Sequence, residues 1–511
     1  MFEVVDEYEI DADNVIVTAQ IMQYGKKPVR YRLVLQDVGM GTEALLDQIR
    51  QELVLEVDVS TTEILDPKVI EFIKVRFRKK AESMLDAKIP KLDEDTKYYL
   101  VSILLNDIIG LGKVEYLMHD ENLEEVIVNS AAEPIRVYHK KHGWLITNIV
   151  IPTEEQIQNY SNIIARRVGK QITTLNPLLD AHLITGDRAN AVLYPVASKG
   201  NTITIRKFAR DPWTIVDLIK VGTVNEEIIS IIWIAMEYEM NILISGGTGS
   251  GKTSLLGTLL PFIPPNQRIL TIEDTRELQL PETLYWCPLT TRPKNTEGKG
   301  EVSMLDLLMN SLRMRPDRII LGEMRRREEA EVMFEAMHTG HSVYATVHAD
   351  TVAETITRMT NPPISVPPNM LNSVNLNIVQ FRDRRRGVRR TYQLGEFIPV
   401  ETDKGVEVKA NILYRWKPSV DKIVPHSESN RFFEELSRHT GFSMKEIHES
   451  LAERRKILNW MVKYDVSNVD KVGIVMNQYY YNHDYLMTFV NKDENPEKLY
   501  SLPNPFKEDT I

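Results

Sequence analysis

The spacing of apolar residues changes along the chain and separates segments of different predicted structure. Residues 1–38 mix acidic positions with short alternating apolar runs at 15–18 and 29–35, which predicts a mobile acidic arm, suited to docking, that leads into the first strands. Residues 39–110 repeat apolar side chains at helical spacing, as at Leu45, Ile49 and Leu53, and predict a small helical bundle. Residues 111–220 alternate short strands with one helix at 154–168 and predict an α+β N-terminal domain.

The second half of the chain has a different order of elements. Residues 221–226 pair a turn glycine with a helix start and predict a hinge linker. Strands then alternate with helices over residues 227–400, which predicts an α/β domain with a doubly wound parallel sheet. Residues 401–511 predict a C-terminal extension of strands and helices, in which Ser443 and Glu446 form a capping box.

Composition narrows the class of protein. The 511 residues are 43% hydrophobic and 26% charged, as in folded globular chains, and the net charge of −10 argues against non-specific binding to nucleic acid. A single cysteine, Cys287, excludes an intramolecular disulfide framework. The start lacks a signal-peptide pattern, and the most apolar run, 228–236, is far shorter than the roughly 20 residues of a spanning helix. We therefore expect a cytoplasmic protein that reaches the inner face of the membrane through partners.

Residues 246–253 carry the pattern of a phosphate-binding loop. The sequence Gly-Gly-Thr-Gly-Ser-Gly-Lys-Thr follows an apolar strand at 241–245 and opens a helix at 253–260. Glycines let backbone N–H groups surround phosphates, Lys252 would reach the β- and γ-phosphates, and the Thr253 hydroxyl would bind Mg²⁺. The cofactors expected are ATP and Mg²⁺. The predicted nucleotide-binding residues are Gly246, Gly247, Thr248, Gly249, Ser250, Gly251, Lys252, Thr253 and Ser254.

Polar side chains also follow three later apolar strands. Glu273 and Asp274 end one strand, Glu323 follows the next, and His348 follows the third. Because ligands bind at the carboxyl ends of parallel strands, we expect these side chains to converge on the loop, where carboxylates can hold Mg²⁺ or orient water. A common Walker B strand ends in Asp where this chain has Gly322, so Glu273 and Asp274 are expected to supply the missing carboxylate. The predicted metal ligands are Thr253, Glu273, Asp274 and Glu323.

Two further groups of residues allow more than one interpretation. His341 and His348 have no cysteine or third histidine nearby, which argues against zinc, and His341 is either a phosphate sensor or a capped turn residue. A basic stretch predicts a hairpin at a subunit or lipid-facing surface, with a solvated face as the alternative. Its arginines are Arg382, Arg384, Arg385, Arg386, Arg389 and Arg390.

With these motifs in place, residues 105–400 resemble the type II and type IV secretion ATPase superfamily. Residues 271–274 resemble its Asp box, 319–325 its atypical Walker B strand, and 339–349 its His box. Arg313 occupies the place of a family arginine, and 204–208 match the end of the family's amino-terminal domain. The resemblance implies a RecA-like P-loop NTPase domain. It assigns catalysis to Lys252, Glu273, Arg313, Glu323, His341 and His348, and adds Arg206 and Arg325 to the nucleotide-binding residues.

The resemblance also implies a function and partners. Such proteins are hexamers with nucleotide between subunits, and they drive assembly of pili, archaella or secretion pseudopili with a polytopic membrane platform protein and accessory motor proteins. Residues 138–144 and 275–278, together with the acidic arm, are most similar to archaellum motor ATPases, and the four-cysteine zinc insertion of many bacterial members is missing. A DNA translocase or packaging ATPase and a nucleotide-regulated scaffold with weak hydrolysis are the alternatives. The filament served and the identity of the general base stay open.

Overall fold

The computed structural model describes residues 2–13, 15–25, 28–36, 38–56, 67–183, 185–208, 212–294, 298–403 and 405–500, which form two compact units. Described residues up to 208 build the first unit, and those from 212 onward build the second. The division therefore precedes the predicted hinge at 221–226. The reason is that Ile215, Val216 and Leu218 are buried in the hydrophobic core of the second unit and fix this segment there.

The first unit is a twisted sheet with helices packed against it. Its strands are β1 (Phe2–Ala12), β2 (Val15–Tyr24), β3 (Arg30–Val34), β4 (Leu123–Val128), β5 (Pro134–His139), β6 (Gly143–Val150), β7 (Leu178–His182), β8 (Arg188–Val192) and β9 (Thr202–Arg206). Its helices are α1 (Met40–Glu56), α2 (Pro67–Lys88), α3 (Glu94–Ile108), α4 (Val114–His119) and α5 (Glu154–Arg167). The strand order is β1-β2-β3-β6-β5-β4-β9-β8-β7, and neighbouring strands are antiparallel except for the parallel contact of β3 with β6.

The expectation of a mobile N-terminal arm is wrong, because β1 and β2 form an antiparallel hairpin at the edge of this sheet. In β2, Val15, Val17 and Ile21 alternate with outward positions and are buried, as the period of a strand requires. In β1, the Tyr8 hydroxyl donates a hydrogen bond to Asp120 Oδ2 at 2.8 Å. Pairing with β2 thus supplies backbone hydrogen bonds to a segment that has few apolar side chains of its own.

The predicted helical bundle shares a core with the strands. Leu46 and Ile49 of α1 and Leu104 of α3 belong to the same buried hydrophobic cluster as Val126 and Val137 of the sheet. An amphipathic helix must bury its apolar stripe against another element, and here that element is the sheet. The described residues of the range 39–110 therefore join the α+β module in one unit.

The second unit contains the α/β domain. Its strands are β10 (Ile242–Gly246), β11 (Arg268–Glu273), β12 (Tyr285–Thr290), β13 (Arg318–Leu321), β14 (Ser342–Val347), β15 (Leu376–Asp383), β16 (Val388–Thr402), β17 (Gly405–Lys417) and β18 (Lys422–Pro425). Its helices are α6 (Ile215–Lys220), α7 (Glu226–Glu237), α8 (Lys252–Leu259), α9 (Met304–Ser311), α10 (Arg327–His338), α11 (Val352–Thr360), α12 (Phe432–Thr440), α13 (Met444–Lys463), α14 (Val469–Tyr481), α15 (His483–Lys492) and α16 (Glu497–Tyr500). The sheet order is β12-β11-β13-β14-β10-β15-β16-β17-β18.

The parallel sheet predicted for this region is confirmed for β10 to β15, which pair with one another only in parallel. β10, β13 and β14 are buried along their whole length, as expected for parallel strands covered on both faces. β16 to β18 continue the sheet antiparallel, and β16 crosses the predicted boundary at residue 400. The capping box of Ser443 and Glu446 at the start of α13 is confirmed. Within the described ranges, no helix is long and apolar enough to cross a membrane.

Candidate active site

The loop between β10 and α8 has the backbone of a phosphate-binding loop. Gly249 and Gly251 have φ of 70° and 94°, in the left-handed region that side chains with a β-carbon rarely adopt. A β-carbon on Gly246 would lie 2.3 Å from the Gln380 carbonyl oxygen of the neighbouring β15. Glycine is therefore required where the chain leaves the sheet. The first turn of α8 leaves backbone N–H groups that have no partner within the helix and can bind an anion.

Lys252 follows the loop, and its side chain folds back to the first two loop residues. Its Nζ donates hydrogen bonds to the carbonyl oxygens of Gly246 and Gly247, at 2.9 and 3.1 Å. Burial lowers the pKa of Lys252, and the carboxylates of Glu323, Asp350 and Glu277 partly offset this effect. The Lys252 ammonium thus interacts electrostatically with three carboxylates.

The predicted strand ends come together on one side of β10. In the order β11-β13-β14-β10, all four strands are parallel, so their carboxyl ends meet at one edge of the sheet. His348 Nε2 lies 3.2 Å from Glu323 Oε1. Arg325 joins two of the predicted carboxylates, because its Nη2 contacts Glu323 Oε2 at 2.6 Å and its Nη1 contacts Asp274 Oδ2 at 2.9 Å.

Burial and the positive charge of Arg325 shift the pKa values of the titratable groups in this cluster. Partial burial raises the pKa of Glu323, but the hydrogen bond and charge of Arg325 outweigh it and hold the pKa below its usual value. Burial lowers the pKa of His348, and the nearby Lys252 ammonium adds to this effect. At neutral pH, Glu323 is therefore an ionised carboxylate beside a neutral imidazole, with 24% of its side chain exposed.

Glu273 differs from Glu323 in both burial and charge. It is 2% exposed, and its Oε1 accepts hydrogen bonds from the backbone N–H groups of Glu277 and Leu278. Its Oε2 is buried and has no hydrogen-bond partner among the described residues. Burial raises the pKa of Glu273 to about 7, although the two backbone donors oppose the shift. A β-carbon at Gly322 would lie 3.2 Å from Glu273 Cγ, so the glycine that replaces the usual aspartate leaves room for this carboxyl group.

Two of the four predicted Mg²⁺ ligands, Thr253 and Glu273, suit a site that is completed by phosphates. No group of three or more His, Cys, Asp or Glu side chains is arranged to hold a metal ion by itself in the described part of the chain. Mg²⁺ in nucleotide sites keeps several waters and takes only one or two carboxylates together with substrate phosphates. Thr253 in the first turn of α8 and the unpaired Glu273 Oε2 are oxygen donors of this kind. Asp274 and Glu323 are already paired with Arg325.

Two predicted residues lie away from this cluster, and a third belongs to the first unit. His341 precedes β14 whereas His348 follows it, so the two histidines lie at opposite ends of that strand. His341 Nδ1 lies 3.3 Å from the Ala336 carbonyl at the end of α10, which matches the capped turn histidine and not a phosphate sensor of this loop. Arg313 is exposed and precedes β13, and Arg206 ends β9 in the first unit.

Two other residues contact the loop and were not predicted from the sequence. Asp350 Oδ1 lies 3.0 Å from the position of a β-carbon on Gly247, and the only signal for it was its place two residues after His348. Arg389 is exposed, and its Nε donates to the Gly249 carbonyl at 3.1 Å, a contact of the basic hairpin that the sequence did not predict. Arg390 is different again, since it is buried and pairs with Asp421.

Comparison with known proteins gives consistent matches. The profile of the family described as Type II/IV secretion system protein matches residues 122–386. The uncharacterized protein MJ0900 of Methanocaldococcus jannaschii is 35% identical over 403 residues, which are 77% of this chain and 72% of that protein. The type IV secretion system protein VirB11 of Bartonella quintana is 28% identical over 312 residues, 54% of this chain and 84% of VirB11. The structure of the pilus retraction motor PilT with bound ADP shares 17% identity over 66% of this chain and 96% of that one, with a TM-score of 0.42.

Proposed function

The chain belongs to the Type II/IV secretion system protein family, and on that premise we propose that it is a Mg²⁺-dependent ATPase. The observation that carries the proposal is the loop of residues 246–251, whose first two carbonyl oxygens accept hydrogen bonds from the Lys252 ammonium, together with the ionised Glu323, whose charge acts on the same lysine. A phosphate group bound at the start of α8 would thus lie beside both a cation and a candidate base.

The side chains suggest separate roles. Lys252 would bind the β- and γ-phosphates, and Thr253 with Glu273 would hold Mg²⁺, which neutralises phosphate charge when bound. Glu323 is the better candidate for the general base, because its side chain is partly exposed and ionised at neutral pH, whereas burial raises the pKa of Glu273 to about 7. His348, 3.2 Å from Glu323, would orient that carboxylate.

We further propose that hydrolysis drives a homo-hexameric motor for an archaellum or type IV pilus-like filament at the cytoplasmic face of the membrane, with a membrane platform protein and accessory motor proteins as partners. The family and the printed name of the VirB11 relative support a secretion-type machine. Arg313 is exposed and could therefore contact a nucleotide bound to a neighbouring subunit. An arginine that acts in this way is called an arginine finger. Arg206 is a further candidate, whereas Arg325 is already paired within its own chain.

A nucleotide-regulated scaffold is the second candidate. One observation favours it: both oxygens of Glu323 are already engaged, one by Arg325 and one by His348. If these contacts persist when nucleotide binds, Glu323 cannot accept a proton from water and turnover stays low.

Steady-state ATPase assays and nucleotide binding separate the candidates. We expect Lys252→Ala to lose binding, and Glu323→Gln to bind ATP while its turnover falls by about 10²-fold or more, as for a lost general base. Glu328→Gln, an exposed glutamate at the start of α10, is the matched control and should behave as wild type. Wild-type turnover as low as that of Glu323→Gln would favour the scaffold. Specific activity that does not depend on protein concentration in a monomeric sample would contradict a finger supplied by a neighbouring subunit.

A further inference from the structure

The structure assigns two arginines of the β15–β16 hairpin to the phosphate-binding loop, and we propose that Arg382 and Arg389 bind the phosphates of a nucleoside di- or triphosphate held there. The inference rests on the proposed nucleotide site and adds to it a second source of positive charge, from the C-terminal part of the same chain.

Strand register explains how these arginines reach the loop. β15 runs parallel to β10 with Gln380 opposite Gly246, so the residue two positions after Gln380, Arg382, lies beside the loop that follows Gly246. In the antiparallel pair of β15 and β16, Arg382 stands directly opposite Arg389. Opposite residues share one face of a sheet, and both arginines lie on the face of Gln380.

Contacts with the loop confirm this placement. Arg389 Nε donates to the Gly249 carbonyl at 3.1 Å, and Arg389 Cδ lies 3.4 Å from the position of a β-carbon on Gly251. Arg382 Nη1 lies 2.9 Å from the position of a β-carbon on Gly249. Both guanidinium groups therefore lie along residues 249–251, immediately before α8.

No described residue balances the charges of the pair. Arg390, on the other face of the hairpin, pairs with Asp421, and Arg386 pairs with Asp383. Neither Arg382 nor Arg389 has an ion-pair partner in the ranges that the structure describes. Two like charges directly opposite each other in a sheet repel, and an anion bound between them would offset that repulsion.

A phosphate is the anion that fits. A guanidinium group presents its N–H donors in a planar fork that matches two phosphate oxygens, and it stays charged at every physiological pH. Arg389 uses only its Nε toward the loop, so its terminal amino groups make no hydrogen bond to described residues. The loop beside them supplies backbone N–H groups for the same phosphates.

The position of the pair also predicts which step it serves. β15 lies on one side of β10, whereas β14 and β13, which carry His348 and Glu323, lie on the other. The arginines therefore approach the loop from the side opposite the candidate base. We expect them to contribute to binding of ADP and ATP alike and not to the attack of water.

Titration of a fluorescent ADP into the full chain tests the pair. We expect Arg382→Ala and Arg389→Ala each to raise the Kd about tenfold, the effect of one lost charge-assisted hydrogen bond. Arg384→Ala is the matched control, because it removes the same charge from the connecting turn, where Arg384 is exposed. Its Kd should stay at the wild-type value. Inorganic pyrophosphate, read by thermal shift, serves as a probe without base or ribose, and it should stabilise the wild-type chain more than the double variant.

Several results would overturn the proposal. Unchanged Kd values in both alanine variants would do so, and so would an equal loss in Arg384→Ala, which would indicate general electrostatic attraction. A loss in Arg389→Ala alone would indicate that Arg389 only supports the loop through Gly249. If binding survives in the double variant and is lost in Lys252→Ala, the nucleotide site stands and the arginine pair does not. A wild-type chain that binds neither ADP nor pyrophosphate would overturn both.

Discussion

Glu273→Gln should make the protein more stable at alkaline pH and leave its stability unchanged in acid. The carboxyl group is 2% exposed, and its Oε1 accepts two backbone hydrogen bonds that a glutamine oxygen can also accept. The glutamine amide would occupy the place of Oε2, which has no hydrogen-bond partner within the described residues. Glutamine therefore resembles the protonated form of Glu273 in shape and charge.

The magnitude follows from the pKa of this group. Burial raises it from an ordinary value of 4.5 to about 7 in the folded chain. Below pH 4.5 the group is protonated in both the folded and the unfolded states, and its effect on stability is constant. Between pH 4.5 and 7 the folded chain binds more protons than the unfolded chain, so the free energy of unfolding falls as the pH rises. Well above pH 7 the free energy of unfolding has fallen by its full amount, about 3 kcal/mol.

The assay is the melting temperature of wild type and variant between pH 4 and 8.5, measured without nucleotide and with a chelator. The two should coincide at pH 4, and at pH 8 the variant should melt about 5 °C higher. Glu335→Gln, which changes an exposed glutamate of α10, should follow the wild type throughout. A difference that is the same at every pH, or a variant that melts lower at pH 8, would refute the assigned ionisation of Glu273.

Two other expectations concern stability. Gly246→Ala should lower the melting temperature and the yield of folded protein, because its β-carbon would lie 2.3 Å from the Gln380 carbonyl oxygen. Gly298→Ala is the control, because that glycine also has a positive φ but no atom lies within 4 Å of the added carbon. Deletion of residues 2–24 should lower the melting temperature of the first unit, since it removes two paired strands, and normal melting of the truncated chain would contradict the β1–β2 hairpin.

Much of the fold could be predicted because most elements have a clear apolar period. β10, β13 and β14 are continuous buried strands, and the helix at 154–167 has its apolar side chains on one face. β1 cannot be predicted with the same ease, because five of its eleven residues are acidic and its Val4 and Val5 are exposed. What holds β1 in place is its pairing with β2 and the contact of Tyr8 with Asp120, 112 positions later. Neither a partner strand nor a distant hydrogen bond can be read from the local pattern of one segment.

The candidate site likewise contains some residues that could be placed from the sequence and others that could not. Residues that follow parallel strands could be placed together, since carboxyl ends of such strands share an edge, and Glu323 with His348 are an example. His341 lies at the opposite end of β14 from His348, because the six residues between the two histidines form that strand. Arg382 and Arg389 could not be assigned, because that requires knowing that β15 lies next to β10 and that Gln380 is opposite Gly246.

The sheet order separates the groups for chemistry from the additional groups for binding. β10 carries the loop, the neighbours on one side carry Glu323 and His348, and the neighbour on the other side carries Arg382. A binding group that contacts the ground state and the transition state equally affects affinity without changing the rate at saturation, whereas loss of a base lowers that rate. Changes on the two sides of β10 should therefore be independent in a double-mutant cycle. Coupling would be expected only through the loop itself, where Lys252 contacts the carbonyl of Gly247 and Arg389 that of Gly249.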